Sequence, residues 1–367
     1  MYFSDAPSDD EVEVSIFGPG RGESCLIHLG KSEWIVIDSC KSRPDGHVPV
    51  LSYLDGLGVD IQRAVRLVVA THAHDDHIEG ISSIFERAEA AFFVLPVAMS
   101  PEEFAALVVT DRAASLGLGS LRRAHKEYAK IASILASRPS PVPGVKAVIF
   151  AGQGRTLLDS ANWAVTSLSP SDEANQRALQ SLASRLAVQG DRIYPTSRDP
   201  NELACALWIE AGEKRLLFGG DLLAGPPNCG WSAVVASFRP TRPASIFKIP
   251  HHGSPGAHHE DVWSNLVSDD SIALLTPFRG GRRPLPSPTD VERIASLASA
   301  VYASAPTRPG EVMDVELRRA VSAVGALGHN VRRLGGPCGQ VRARSRFGEE
   351  GWRVEVLDPA LSHKVAS

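Results

Sequence analysis

The chain has 367 residues, a formal net charge of −4, 43% hydrophobic residues and 22% charged ones. This apolar share is ordinary for a globular protein and ample for a core, and the charge excludes a molecule that is a polyanion binder over its whole surface. No run of about 18 apolar residues occurs, so no membrane span is expected. The acidic start "MYFSDAPSDDEVEV" lacks the basic and apolar regions of a secretory signal. Five scattered cysteines form no CxxC pair. Both features predict a reducing, cytoplasmic setting.

In chain order, "EVEVSIFG" alternates polar and apolar residues as a half-buried strand does. "SCLIHLG" and "SEWIVIDS" read as a hairpin, and "DGHVPVLSYLDGLGV" as a helix. "AVRLVVATHAHDDH" is a fully buried strand running into a polar loop, followed by the helix "GISSIFERAE" and the strand "AAFFVLP". Residues 101–137 are rich in Ala and Leu, with Ser100 and Glu103 placed as a capping box; they predict a helical insertion outside the core. After the proline-rich connector "SRPSPVPGVK" come the strands "VKAVIFAG" and "WAVTSLSP" and the polar helix "SDEANQRALQSLASRLAVQG". "ELACALWIEAGEKRLLFGGD" is a hairpin, "ASIFKIPHHGS" and "SIALLTPF" are strands, "SPTDVERIASLAS" is a helix and "VRARSRFGEEGWRVEVL" is a terminal hairpin. Strands interleaved with helices predict an α/β fold, and the hairpins predict mixed sheets. One domain over 1–367 is expected, with 291–367 adding a helix and strands to it.

Positive charge is concentrated late in the chain. Between Arg308 and Arg346 eight arginines face three acids, and "FRGGRR" adds three more. Such a face attracts phosphates through counterion release, so nucleic acid is an expected partner through Arg332, Arg333, Arg342 and Arg344; a solvated, salt-bridged face is the alternative.

The densest chemistry is "THAHDDH" at 71–77. Imidazole nitrogen and carboxylate oxygen suit zinc, with manganese or iron as alternatives. Alternate residues leaving a strand project the same way, so His72 and His74 can share one ion while Asp76 and His77 reach another. Seven of the twelve histidines fall within 72–77 and 251–259, as one site built from two loops would require.

"HAHDDH" resembles the HxHxDH signature of the metallo-β-lactamase-fold hydrolases. Asp38, closing "WIVIDS", is similar to that family's aspartate that orients a ligand histidine. Asp221 in "LLFGGD" falls where the family places its bridging carboxylate, and His251 in "KIPHHGS" where it places its last ligand. The resemblance implies a four-layer αββα sandwich and one or two zinc ions held by His72, His74, Asp76, His77, Asp221 and His251. The forms "GPGRGESCLIHLGKSEWIVIDS", "NELACALWIEAGEKRLLFGGD" and "KIPHHGS" resemble the subgroup containing the nuclease domain of bacterial DNA-uptake channel proteins and several choline-phosphate esterases. One departure stands out. The family's additional histidine between the two loops has no counterpart, because the equivalent strand end "SLSPSDEAN" carries none. His258 and His259, seven and eight residues past His251, are candidate substitutes.

At "HHGS" a ligand at the strand end favours His251, with His252 turned toward substrate as acid or phosphate contact; the reverse order is the alternative. Lys248 reads as a flanking strand residue. Paired ions activate water and polarise the substrate oxygen, so the expected activity is hydrolysis of a phosphodiester, nucleic acid included, with Asp76, His252 and His258 as the catalytic set. Hydrolysis of a small ester, lactone or amide is the alternative within enzymes, and an interaction protein with a degraded site the alternative outside them.

Overall fold

The computed structural model describes residues 2–18, 22–42, 45–96, 123–189, 200–279, 284–307 and 338–364. Its strands, numbered along the chain, begin with Glu11–Gly18 (β1), Ser24–His28 (β2), Trp34–Ile37 (β3), Val65–Val69 (β4), Phe92–Pro96 (β5) and Val148–Ala151 (β6). Arg155–Asp159 (β7), Trp163–Ser167 (β8), Leu207–Ala211 (β9), Lys214–Phe218 (β10), Ala244–Lys248 (β11) and Val267–Leu275 (β12) follow. Ala300–Ala303 (β13), Gly339–Arg346 (β14), Arg353–Leu357 (β15) and Leu361–Lys364 (β16) complete the set. They form two sheets, ordered β15-β14-β1-β2-β3-β4-β5-β6 and β16-β13-β12-β11-β10-β9-β8-β7. Both are mixed. β3 to β6 pair in parallel, as do β10 to β13, and the remaining neighbours pair antiparallel.

The apolar alternation builds the layers. In β4, Leu67 and Val69 enter the core between the sheets, while Val68 faces the outer helices. In β10, Leu216 and Phe218 join the same central core, and Leu217 faces outward into a third cluster. Strands covered on both faces must be apolar throughout, which explains runs such as "VRLVV". On the outer face of the first sheet lie Pro49–Gly56, Ile81–Arg87 and Arg123–Ser137; on the second lie Gly230–Ser237, Glu260–Leu266 and Pro288–Leu297. The patterning predicts the α/β class and the mixed sheets, and the architecture is the four-layer sandwich that the resemblance implies.

Several elements differ from the sequence reading. β7, β13, β16 and the helices Gly230–Ser237 and Glu260–Leu266 are short and lack an isolated periodic signal. Of the expected insertion, Ser100, Glu103 and everything to residue 122 lie outside the described residues. Its described part, Arg123–Ser137, is an integral piece of the first helical layer. Ala124, Tyr128 and Ile131 share one face and are buried in that layer's core, and Glu127 accepts from the backbone N–H of Ser82 at 3.0 Å. From 291 onward, β13 and β16 extend the second sheet, and β14 and β15 extend the first. Among the described residues no helix is long and apolar enough to cross a membrane. All five cysteines are free and buried.

Candidate metal centre

Ligand-type side chains meet at one edge of the sandwich, where loops leave the parallel ends of both sheets. β4 ends at Val69, and the chain passes Thr71, His72 and His74 into the short helix Asp75–Ile78, which carries Asp76 and His77. β10 ends at Phe218 and delivers Asp221 through Gly219 and Gly220. Gly220 has φ +51°, and a Cβ there would lie 3.0 Å from the Cys205 carbonyl, so this approach needs glycine. β11 runs into Pro250–Gly253, where His251 and His252 both adopt left-handed backbone at φ 45° and 52°. Two consecutive non-glycine residues there cost roughly 1 to 3 kcal/mol each. Bonds from the His251 N–H to the Gly220 carbonyl at 3.0 Å and from Arg293 to the Gly253 carbonyl at 3.0 Å hold the turn.

The outer ring nitrogens are committed to acceptors. His77 Nδ1 lies 2.7 Å from Asp38 Oδ2, and His252 Nδ1 lies 2.8 Å from the Thr276 carbonyl. Thr71 Oγ1 donates to Asp38 Oδ2 at 2.7 Å, which leaves its lone pair for His72 Nδ1 at 3.0 Å. These partners assign Nδ1–H to all three rings and turn each Nε2 lone pair inward.

Inside, the donors lie at the spacing of ligands around an ion. His72 Nε2 is 3.1 Å from His74 Nδ1 and 3.6 Å from Asp221 Oδ2. His77 Nε2 is 3.3 Å from Asp221 Oδ1 and 3.8 Å from Asp76 Oδ2. His252 Nε2 is 3.2 Å from Asp76 Oδ2 and 3.9 Å from Asp221 Oδ2. Two donors about 2.0–2.1 Å from a tetrahedral ion stand about 3.3 Å apart. His77 Nε2 and Asp221 Oδ1 are buried without a hydrogen-bond partner of acceptable geometry. Buried polar atoms are rarely left so, and a cation would satisfy both.

The electrostatics agree. Glu23, Asp38, Asp76 and Asp221 place four carboxylates here against one ammonium, Lys248. Burial disfavours charge on His77 and His252, yet the surrounding carboxylates, Asp221 foremost, outweigh it. His77 is raised well above the usual imidazole value and His252 is pushed up to about 10. His72, buried and beside His77, is held well below its usual value. Burial likewise opposes ionisation of Asp76 and Asp221, and neighbouring imidazolium charge reverses it, so both lie below the usual carboxylate range. Protons on the histidines neutralise the cluster when no metal is bound; divalent ions would displace them.

His72, His74 and Asp221 form one mutually spaced group, and Asp76, His77 and His252, linked to one another and to the shared Asp221 by pairwise approaches of 3.2 to 3.9 Å, are the candidate donors of a second. Ser169 and Ser171, where a further histidine was absent from the sequence, are bonded to the Ala204 and Asn228 carbonyls and add no ligand.

The placement corrects three expectations. The side chain that reaches the cluster from "HHGS" is His252, because the left-handed turn swings His251 away; its Nε2 meets Asn201 Nδ2 at 3.3 Å. His258 and His259 line a separate small pocket with Trp231, Phe247 and Trp263 on the helical side of the second sheet, and neither joins a metal-type group among the described residues. Arg342 and Arg344, expected on a phosphate-binding face, are 1% and 3% exposed and bonded to Asp5, Glu13 and Glu355. Arg332 and Arg333 lie outside the described residues.

Glu23 escaped the sequence reading. It forms a third group with His77 and His252, but it faces their Nδ1 edges, at 3.8 and 3.4 Å. Both its oxygens are 2.8 Å from Lys248 Nζ, and its pKa is lowered to about 2, with burial opposed chiefly by Lys248 and His77. The only signal was an acid between "GPGRG" and an apolar strand.

Fold and site together define a class: an α/β sandwich with a histidine–carboxylate cluster suited to metal ions at one edge of its facing sheets. No family model matches the chain, and no curated protein does. Among solved structures it is similar to the metallo-β-lactamase fold protein YhfI from Bacillus subtilis, at 14% identity over 65% of this chain and 70% of that one, with a TM-score of 0.33. CmlA, a diiron β-hydroxylase from Streptomyces venezuelae, aligns at 15% identity over 93% of this chain with a TM-score of 0.37. This chain spans 55% of CmlA.

Proposed function

We propose that the protein is a metal-dependent hydrolase acting on a phosphodiester, in a cytoplasmic setting. One observation carries the proposal. Three Nε2 lone pairs and two carboxylates converge at ligand spacing, with His77 Nε2 and Asp221 Oδ1 otherwise orphaned in the interior. Divalent ions bound there, zinc in the first instance, would supply an activated water and Lewis acidity toward the substrate oxygen. The chain's own part is to hold the donors rigid. Asp38 locks His77, the Thr276 carbonyl locks His252, and Asp76, 16% exposed, borders the open side.

His251 takes the substrate-side role first given to His252. Its Nε2 accepts from Asn201, which leaves the proton on Nδ1, and that atom has no partner among the described residues. That N–H is buried, one residue before the ligand His252, and would meet an anionic oxygen only in the substrate-bound protein. The resemblance of these sequence forms to the DNA-uptake nuclease subgroup favours a phosphodiester over a carboxylic ester. With Arg342 and Arg344 buried, a polymeric nucleic acid substrate rests on arginines beyond the described residues.

The test is a substrate panel with purified protein and added Zn2+, Mn2+ or Fe2+: bis-p-nitrophenyl phosphate, p-nitrophenyl acetate and a lactone. The diester should be turned over, and Asp76→Ala should lower its turnover at least about 100-fold, because a lost donor weakens the ion's hold. Turnover of the acetate or lactone alone moves the assignment to a small-molecule esterase. Metal content surviving His74→Ala, Asp76→Ala and His252→Ala together would remove the metal-centre reading itself.

A further inference from the structure

We propose that Glu23 and Lys248 are positioning residues, a buried ion pair that sets the distance between His77 and His252 across the two sheets. This rests on the metal-centre reading above. Glu23 directly precedes β2 of the first sheet, and Lys248 closes β11 of the second. The two are 225 positions apart in the chain, yet Nζ lies 2.8 Å from each carboxylate oxygen, with side chains 3% and 1% exposed.

The pair stands where the centre is assembled from its two halves. His77 comes from the loop after β4, and His252 from the turn after β11. Their Nε2 atoms can serve one ion only if the sheets keep a fixed offset at this edge. Apolar packing between the sheets is strong but non-directional. A bidentate ammonium–carboxylate contact has direction. Glu23 also donates its N–H to the Asp76 carbonyl at 3.0 Å, and its carboxylate lies against the Nδ1 edges of both histidines. Lys248 is anchored in turn to the Ile249 carbonyl at 3.1 Å. One residue thus touches Asp76, His77 and His252, all three donors of that set other than the shared Asp221.

Two rival explanations are weaker. As a metal ligand, Glu23 would have to hold a cation beside an ammonium 2.8 Å from both its oxygens, and at the wrong edge of both rings. As a stabilising device, a buried pair is a poor choice, since apolar residues of similar volume often do as well or better.

The experiment is Zn2+ titration of the metal-free full chain against a chromophoric chelator, with melting of the metal-free protein in parallel. Variants are Glu23→Gln, Lys248→Met and the double variant, which leaves no buried charge unpaired if a single variant fails to fold. The tighter Zn2+ should weaken about 10- to 100-fold in the double variant, as for other groups that orient metal-bound histidines. The weaker Zn2+, on His72 and His74, should change less than about threefold on that basis. Equal weakening of both ions with a lowered melting temperature would mean a merely structural pair. Tighter binding in Lys248→Met would make Glu23 a ligand. Either result, or a double variant that binds like the parent, overturns the inference. A parent that binds no Zn2+ sinks the metal-centre reading and this inference with it; a parent that binds while the variants match it sinks the inference alone.

Discussion

Asp38→Asn isolates the tautomer argument, because the change is nearly isosteric and sits one contact away from the cluster. Asp38 is buried with φ +60° and accepts three bonds: Thr71 N–H on Oδ1 at 2.8 Å, and Thr71 Oγ1 and His77 Nδ1 on Oδ2 at 2.7 Å each. An asparagine has one acceptor to offer where two oxygens worked. With its oxygen at the Oδ2 position, the amide group faces the Thr71 N–H, and that buried donor clash costs about 1–3 kcal/mol. With its oxygen at Oδ1, the amide faces His77 Nδ1, which can accept only if the ring proton moves to Nε2, the atom 3.3 Å from Asp221. The metal-free variant takes the second arrangement by releasing the Nδ1 proton of His77 and keeping the Nε2 proton that faces Asp221. Metal binding forces it back to the first, so the penalty emerges as lost affinity of roughly 5- to 150-fold at 1.4 kcal/mol per decade. The measurements are Zn2+ titration and long-range 15N–1H NMR of the His77 ring. Zn2+ affinity within about twofold of the parent, with the His77 proton still on Nδ1, would refute this role of Asp38.

Three further outcomes are expected. His252→Ala should lower metal content measured by elemental analysis, whereas His251→Ala should keep the metal and raise KM for the diester; the opposite pattern returns the ligand role to His251. His28, buried against Trp34 with Nδ1 2.8 Å from the Glu11 carbonyl, has its pKa lowered by burial to about 4. The folded state therefore refuses a proton that the unfolded chain accepts below about pH 6.5, so this contribution is full above that pH and lost as pH falls toward 4, about 3 kcal/mol in all. His28→Asn keeps an N–H for the carbonyl and should show a shallower loss of urea stability between pH 7 and 4; an unchanged loss would exclude His28 as its source. Arg344→Met leaves Glu13, fully buried, without its cation and should lower unfolding stability by about 3 kcal/mol in urea, with no change in any salt-dependent nucleic acid binding. A variant of parental stability, or a reduced salt slope, would restore Arg344 to the phosphate-binding role.

The sequence alone determined what depends on neighbours in the chain. A run such as "RLVVA" announces a strand covered on both faces, because continuous apolarity survives only where two layers exclude water. His72, His74, Asp76 and His77 could be read together because one loop carries them all, whereas Asp38 and Asp221, each just past an apolar strand, were found through the family resemblance. What the closing of the sandwich alone decided is everything that crosses it. The choice of His252 over His251 turns on two left-handed residues whose strain is held by Gly220 and Arg293, contacts no local pattern contains. Arg342 and Arg344 look basic in a linear count, yet β14 pairs with β1 and β15 and brings them onto Glu13 and Glu355, while the N-terminal segment supplies Asp5. Glu23 and Lys248 carry no mutual signal across 225 positions; only when the sheets face each other does their attraction act, because charge interactions fall with distance in space and take no account of distance along the chain.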